Sequence, residues 1–438
     1  MAHSDVDLSR AALVLLDIQE DYLEAKGPLV QLGFEAVRDE GRRIFLGNCQ
    51  SLIRNARETG RPVVHVRTAF RRDLTDCFFP PKWREALGAA SILVEGSSGA
   101  AIAPEIAPQD GDFVITKKGL CAFQFTHLDR LLSSLGVDTC ILAGSGGVAG
   151  SIDETCRTAG LVGYDTVVVP DAVYPLRTPH VETLTNQSAI KTTEEVIGLI
   201  KGIAPRRTTE PKITPALILV ALNNDGNHPH GSKYRYRITS HGPGISAEKL
   251  ALYIRNNNRL IEAMTAKGFP VVHSQTAVRL DKADDAHSFQ SDRNRGPERK
   301  RNFPPGVGYM IEGTWGAEIL EGVKLPDGYY RVYKKGNSSF GLTHLDRLLR
   351  NLGVNFCIIT GDSTTGCVSN TVRDSVALGY KTIVVSDATN RANIPYHEIL
   401  ANRADVRSTD EVLTFLEKLA PAGRKHAEAG GALARVAG

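Results

Sequence analysis

The chain has 438 residues, 42% hydrophobic and 23% charged, enough apolar material for two ordinary cores. Its 52 basic and 49 acidic residues leave a formal charge of +3, which points to neither a nucleic-acid partner nor a membrane surface. It contains no run of ~18 apolar residues able to span a bilayer.

In chain order, ALVLLDI (from Ala12) is a continuous apolar run of strand length, as a parallel strand covered on both faces requires. Gln50 to Thr59 carries apolar residues at helical spacing, and Pro62 opens the next strand, PVVHVRT. FVIT is a strand, and THLDRLLSSLG a helix stopped by Gly136. TCILAG comes next as a strand, then a helix up to Gly163, then the strand DTVVVPDAV. A Pro-, Arg- and Thr-containing segment, Ala204 to Pro215, joins this unit to the second half of the chain.

The order then repeats. ALILVALN answers ALVLLDIQ, VVHSQTA answers VVHVRTA, EGTWGA answers EGSSGA, and VYKKG answers ITKKG. LTHLDRLLRNLGVNFCIITG, ending at Gly361, answers FTHLDRLLSSLGVDTCILAG, ending at Gly144. Each copy is a whole domain long, so the chain is a tandem duplication. Strand–helix alternation predicts two tandem three-layer α/β/α domains, each with a mostly parallel sheet. The expected boundaries are 1–203, a linker at 204–215, 216–421, and a tail at 422–438 that has little to bury.

In such sheets ligands bind beyond the carboxyl ends of the strands. In copy one those ends carry Asp17, Lys117 and the loop SGGVAGSIDET; in copy two, Ala221, Lys334 and the loop DSTTGCVSNT with Cys367. A carboxylate, an ammonium and a thiol on adjacent strand ends make a nucleophilic site. The free thiol, with a pKa of ~8.5, is only slightly ionised at neutral pH, and a lysine plus a helix N-terminus both favour the thiolate. Backbone N–H groups of Gly366 and Cys367 are candidate oxyanion donors.

The segment GDSTTGCVSNTVRDSVALGYKTIVVSDAT, with LLDIQEDY, the two K-K-G elements and the T-x-L-D helices, closely resembles the isochorismatase-like hydrolases, a superfamily of cysteine amidohydrolases and their relatives. The likeness runs through both halves. It implies an Asp–Lys–Cys triad, with Asp17 matching the acid, Lys117 and Lys334 the lysine and Cys367 the nucleophile. Neither copy matches it completely. Copy one has Gly150 or Ser151 at the thiol position, depending on the side from which its longer loop is counted, and copy two has Ala221 at the acid position.

Three readings compete. In the first, the C-terminal copy is a thiol hydrolase that cleaves a C–N bond of a small amide, imide or ureido compound. Asn223, Asp225, His228 or a residue of the other copy would then replace the acid. In the second, Asp17 and Lys117 run a Cys-independent acid–base hydrolysis of an enol ether or related bond, as the resemblance implies for members with a small residue at the thiol position. In the third, neither copy is catalytic and the chain is a binding or scaffold protein. Because members of this fold associate, the fused copies are expected to form an intramolecular pseudo-dimer, alone or within a larger homo-oligomer.

The remaining expectations are minor. Arg67, Asn223, Gln275 and Ser151 are weaker candidates for substrate contact, and no cofactor or metal is expected. His65 and His273 read as hydrogen-bonded core histidines, and His228 with His230 as a weak zinc signal. The polar stretch Asp281 to Gly308, with its Arg293–Arg301 basic run, is either a lid over the C-terminal site or a surface insertion. Seven cysteines, odd in number and set mostly among apolar residues, fit reduced thiols. The start MAHSDVDLSR lacks the regions of a secretory signal, and a cytoplasmic location is expected.

Overall fold

The computed structural model describes residues 6–23, 39–79, 81–146, 150–174, 184, 187–203, 212–235, 245–281, 308–390 and 400–422. It separates into two compact units, Met1–Pro211 and Lys212–Gly438. The expected lid or insertion lies outside the described residues but for its ends, as do residues 204–211 and 423–438 of the expected linker and tail.

The first unit runs β1 (Ala11–Leu16), α1 (Glu20–Leu23), α2 (Asp39–Glu58), β2 (Val63–Thr68), α3 (Pro81–Ala90) and β3 (Phe113–Lys117). It continues with α4 (Leu128–Ser134), β4 (Thr139–Ser145), α5 (Ser151–Val162), β5 (Asp165–Tyr174), β6 (Ala189–Ile190) and α6 (Thr193–Gly202). Six parallel strands lie in the order β3-β2-β1-β4-β5-β6. Every residue of β1 is buried because both faces of the sheet are covered. Leu13 and Leu15 pack with Leu52 of α2 and Val196 and Ile200 of α6. On the other face, Val14 and Leu16 pack with Leu128 and Leu132 of α4 and Ile152 and Cys156 of α5.

The second unit repeats the plan. It comprises β7 (Pro215–Val220), α7 (Asn224–Asn227), α8 (Ser232–Arg235), α9 (Ala247–Ala266), β8 (Val271–Thr276) and β9 (Tyr330–Lys334). Then come α10 (Leu345–Asn351), β10 (Phe356–Gly361), α11 (Cys367–Ala377), β11 (Lys381–Thr389), β12 (Asp405–Arg407) and α12 (Thr409–Glu417). Its sheet order, β9-β8-β7-β10-β11-β12, is the first sheet's order over again, with every described pair parallel. These are two α/β/α layers of the kind the alternation predicts.

The structure adds what periodicity alone did not mark. Helix α2 starts at Asp39, well before Gln50, and each unit ends with a short strand and a capped helix. Thr192 with Glu195, and Ser408 with Glu411, form capping boxes at the starts of α6 and α12.

Strand order reverses between β1 and β4, and between β7 and β10, so in each sheet the connections leave these neighbours in opposite directions. A crevice opens at such a switch point. The pairs meet tightly just below it. Gly144 and Gly361 have φ of 131° and 121°, and a Cβ at either would collide with the carbonyl oxygen of Leu16 or Val220.

Candidate active site

Each switch point gathers the residues that the sequence placed at strand ends. In the first unit, Asp17 follows β1 in a left-handed conformation (φ 53°), which turns its carboxylate toward β3 and α5. Thr68 Oγ1, at the end of β2, donates to Asp17 Oδ1 at 2.7 Å. Lys117 Nζ, at the end of β3, lies 2.9 Å from Asp17 Oδ2. It donates to Thr68 Oγ1 at 2.7 Å, Gly119 O at 3.0 Å and Ser151 Oγ at 3.1 Å. The Ser151 hydroxyl completes the ring through a short hydrogen bond to Asp17 Oδ2. Asp17, Thr68, Lys117 and Ser151 are all buried.

This geometry resolves the ambiguity of the longer loop. Ser151 is the first residue of α5 and Gly150 its N-cap, just as Cys367 begins α11 after the N-cap Gly366. Serine, rather than glycine, stands where the other copy has its thiol.

The second unit keeps half of this network. Lys334 Nζ, fully buried at the end of β9, donates to Gly336 O at 2.9 Å and to Cys367 Sγ at 3.1 Å. Asn337 Oδ1 lies 3.9 Å from the same sulfur. Ala221 holds the backbone of Asp17, with φ 49°, but ends at Cβ. A left-handed alanine costs about 1 kcal/mol or more, so the turn has outlasted the carboxylate it presents in the other copy. Thr276, the counterpart of Thr68, is buried with its hydroxyl unpartnered.

The three residues weighed as replacement acids are engaged elsewhere. Asp225 Oδ2 accepts from Met310 N at 2.7 Å and Oδ1 from Ser232 N at 2.9 Å. Its first-unit counterpart, Asp21, accepts from Leu93 N in the same way, so both carboxylates hold loops. His228 stacks edge-on with Trp315 and faces Glu321 at 3.5 Å. Asn223 Nδ2 donates to Thr276 O at 3.2 Å and, through a short bond, to Ala317 O. Its counterpart Gln19 ties Thr68 O and Ala100 O, so this residue braces the strand ends in both units.

Of the remaining candidates, Arg67 donates to Thr116 Oγ1 at 3.0 Å and Gln275 to Ala317 O at 2.8 Å, leaving Gln275 Oε1 unpartnered. The Gly366 N–H, expected among the oxyanion donors, is taken by Ser363 O at 3.0 Å.

A buried ion pair is absent from the sequence-based expectations. Asp362, immediately after β10, lies 2.7 Å from Lys233 Nζ of α8, and Lys233 also donates to Gly226 O at 2.9 Å. Asp362 is the neighbour of Ala221 in the strand ladder, its N–H bonding Val220 O. Its charge reaches Tyr253 of α9, whose hydroxyl is held well above the usual range by burial first and by Asp362 second. It therefore serves the α9 side of the sheet, whereas Cys367 packs with the cluster on the other side. The signal was present as a difference between copies, since Ser145 occupies this place in the first.

Burial separates the thiols. Cys367 is partly exposed and every other cysteine is buried. Burial raises the pKa of Cys49, Cys77, Cys140 and Cys156, and pushes Cys357 to about 12. His65 and His273 are both held neutral by burial. Asp112, 3.3 Å away, partly restores the basicity of His65, while His273 falls to about 3. Among the described residues no cluster of three or more His, Cys, Asp or Glu forms a metal site, and no helix is long and apolar enough to cross a membrane.

The sequence pattern of the Isochorismatase domain matches residues 11–198 and again 241–414. The chain belongs to the isochorismatase family. It is a hydrolase-family protein in two tandem copies. Maleamate amidohydrolase of Pseudomonas putida is 29% identical over 170 residues, 37% of this chain and 72% of the relative. N-carbamoylsarcosine amidase of an Arthrobacter species is 28% identical over 211 residues, 47% of this chain and 72% of the relative. Among solved structures, a cysteine hydrolase of Pseudomonas syringae pv. phaseolicola aligns at 22% identity with a TM-score of 0.40, over 46% of this chain and 97% of that one.

Proposed function

We propose that the C-terminal unit hydrolyses a C–N bond of a small amide, imide or ureido compound, with Cys367 as nucleophile. The observation that carries this is the buried Lys334 ammonium donating to Cys367 Sγ at 3.1 Å at the start of α11. An adjacent cation and a helix N-terminus both favour thiolate. Attack on the carbonyl gives a tetrahedral oxyanion facing the positive end of α11. Loss of the nitrogen leaves a thioester that water hydrolyses. The amide- and ureido-directed names of the relatives support this substrate class. The test is ammonia release from a panel of short amides and ureido acids by the full chain. Turnover abolished in Cys367→Ala supports the reading; turnover that survives this change overturns it.

A second reading rests on the intact network of the N-terminal unit. There Asp17 and Lys117, 2.9 Å apart, would carry a Cys-independent acid–base hydrolysis of an enol ether or related bond. Its signature is activity lost in Asp17→Asn and retained in Cys367→Ala.

A further inference from the structure

Two buried groups in the C-terminal site are the counterparts of the groups that hold a carboxylate in the N-terminal one. Thr276 Oγ1 is unpartnered, where Thr68 bridges Asp17 and Lys117. Lys334 Nζ has Gly336 O and Cys367 Sγ as its acceptors among the described residues, whereas Lys117 also has a threonine hydroxyl and a carboxylate beside it. A buried hydroxyl without a partner and a buried ammonium without a carboxylate beside it are each costly. Their counterparts Thr68 and Lys117 both reach Asp17, whose place is taken here by Ala221 with the same left-handed backbone (φ 49°). The nearest acidic neighbour in the ladder, Asp362, has Oδ2 tied to Lys233 on the α9 side, with Oδ1 buried and unpartnered.

We infer that the C-terminal site is completed by a carboxylate of its own substrate, bound between Thr276 Oγ1 and Lys334 Nζ beside Ala221. This rests on the proposed role of Cys367 and narrows its substrate to a short acid amide. In the N-terminal network the group at the nucleophile position and the carboxylate share a hydrogen bond. The carboxylate and scissile carbonyl of such a substrate must therefore be close enough to engage neighbouring positions, as in the monoamide of a short dicarboxylic acid. The step balances without another reactant. The bound carboxylate takes the thiol proton, leaving the thiolate beside Lys334 to form the S–C bond, and returns that proton to the nitrogen as the C–N bond breaks. Water then cleaves the thioester, releasing the acid and restoring the thiol.

The side chain can be restored in two ways. Ala221→Asp supplies it covalently, and formate carries the same heavy atoms as the carboxylate that alanine lacks. The experiment measures saturation-transfer NMR of formate on the full chain, and hydrolysis of succinamic acid against succinamide. Wild type is expected to bind formate and to prefer the acid amide by about a hundredfold in kcat/KM, the low end for a positioned proton-transfer group. Added formate should raise turnover of the neutral diamide. Ala221→Asp should lose formate binding, lose the preference and accept the diamide, while Thr276→Val should weaken formate binding. Formate binding unchanged in both variants, or Cys367-dependent turnover with no preference and no response to formate, overturns the inference. Ala221-dependent formate binding without hydrolysis of any amide keeps the carboxylate site and sinks the thiol reading instead.

Discussion

The N-terminal site has an acid, a lysine and a hydroxyl closed into one buried ring; the C-terminal site has a lysine and a thiol, with an unpartnered threonine where the acid would bind. The scaffold around them is the same to the level of individual braces: Gln19 and Asn223, Asp21 and Asp225, Gly144 and Gly361 each do one job twice. Duplication has thus left these braces intact while the reacting atoms, and the buried Asp362–Lys233 pair, differ between the copies. A network with every polar atom satisfied is rigid and stable. One with an orphaned hydroxyl and a partly exposed thiol is less stable and more reactive, as a working site can be.

Removing the group that sets the two sites apart should have the largest effect. Cys367→Ala should cut amide hydrolysis by at least about a hundredfold, measured as ammonia release, whereas Ser151→Ala should leave that activity unchanged.

Next in size is the ion pair found in one copy only. Asp362→Asn leaves Lys233 buried without its charge partner and should destabilise the C-terminal unit by about 3–5 kcal/mol in denaturant melts. Ser145→Ala, at the matching place, should be nearly neutral, because the Ser145 hydroxyl has no partner to lose.

The threonines give a smaller contrast. Thr68→Val removes a hydroxyl that both donates to Asp17 and accepts from Lys117, and should cost the N-terminal unit about 1–3 kcal/mol. Thr276→Val should leave stability unchanged or raise it. Hydrogen exchange resolved to peptides of each unit follows the two transitions separately.

Near neutral pH the smallest effect is on pH dependence, because it develops only as the solution is acidified. Burial lowers His273 from 6.5 to about 3, so between these values the unfolded chain binds more protons than the folded one. The C-terminal unit should therefore lose stability as pH falls below about 6.5, with a slope approaching about 1.4 kcal/mol per pH unit, and His273→Gln should flatten it. His65, pulled back by Asp112, should impose a shallower slope on the N-terminal unit.

Much of this was legible in the sequence because it is written there twice. Apolar runs such as ALVLLDI and ALILVALN marked strands buried on both faces, and residues at their ends located Asp17, Lys117, Lys334 and Cys367. The position of Ser151 was not legible, since a one-residue difference in loop length can be counted from either side and only the start of α5 decides it. Asn223 and Asp225 misled because a polar residue past a strand end looks the same whether it faces a ligand or braces a loop; their carbonyl and N–H partners are remote in sequence. The Lys233–Asp362 pair joins residues 129 apart, and no local pattern announces such a contact.

The hydrolysis proposed for the C-terminal site depends on Cys367 being an activated thiol, and iodoacetamide labelling of each cysteine across pH tests this without any substrate. Cys367 should alkylate fastest, with an apparent pKa below the ~8.5 of a free thiol, and Lys334→Ala should remove the advantage. Labelling of Cys367 as slow as that of buried Cys140, or unaffected by Lys334→Ala, would contradict it.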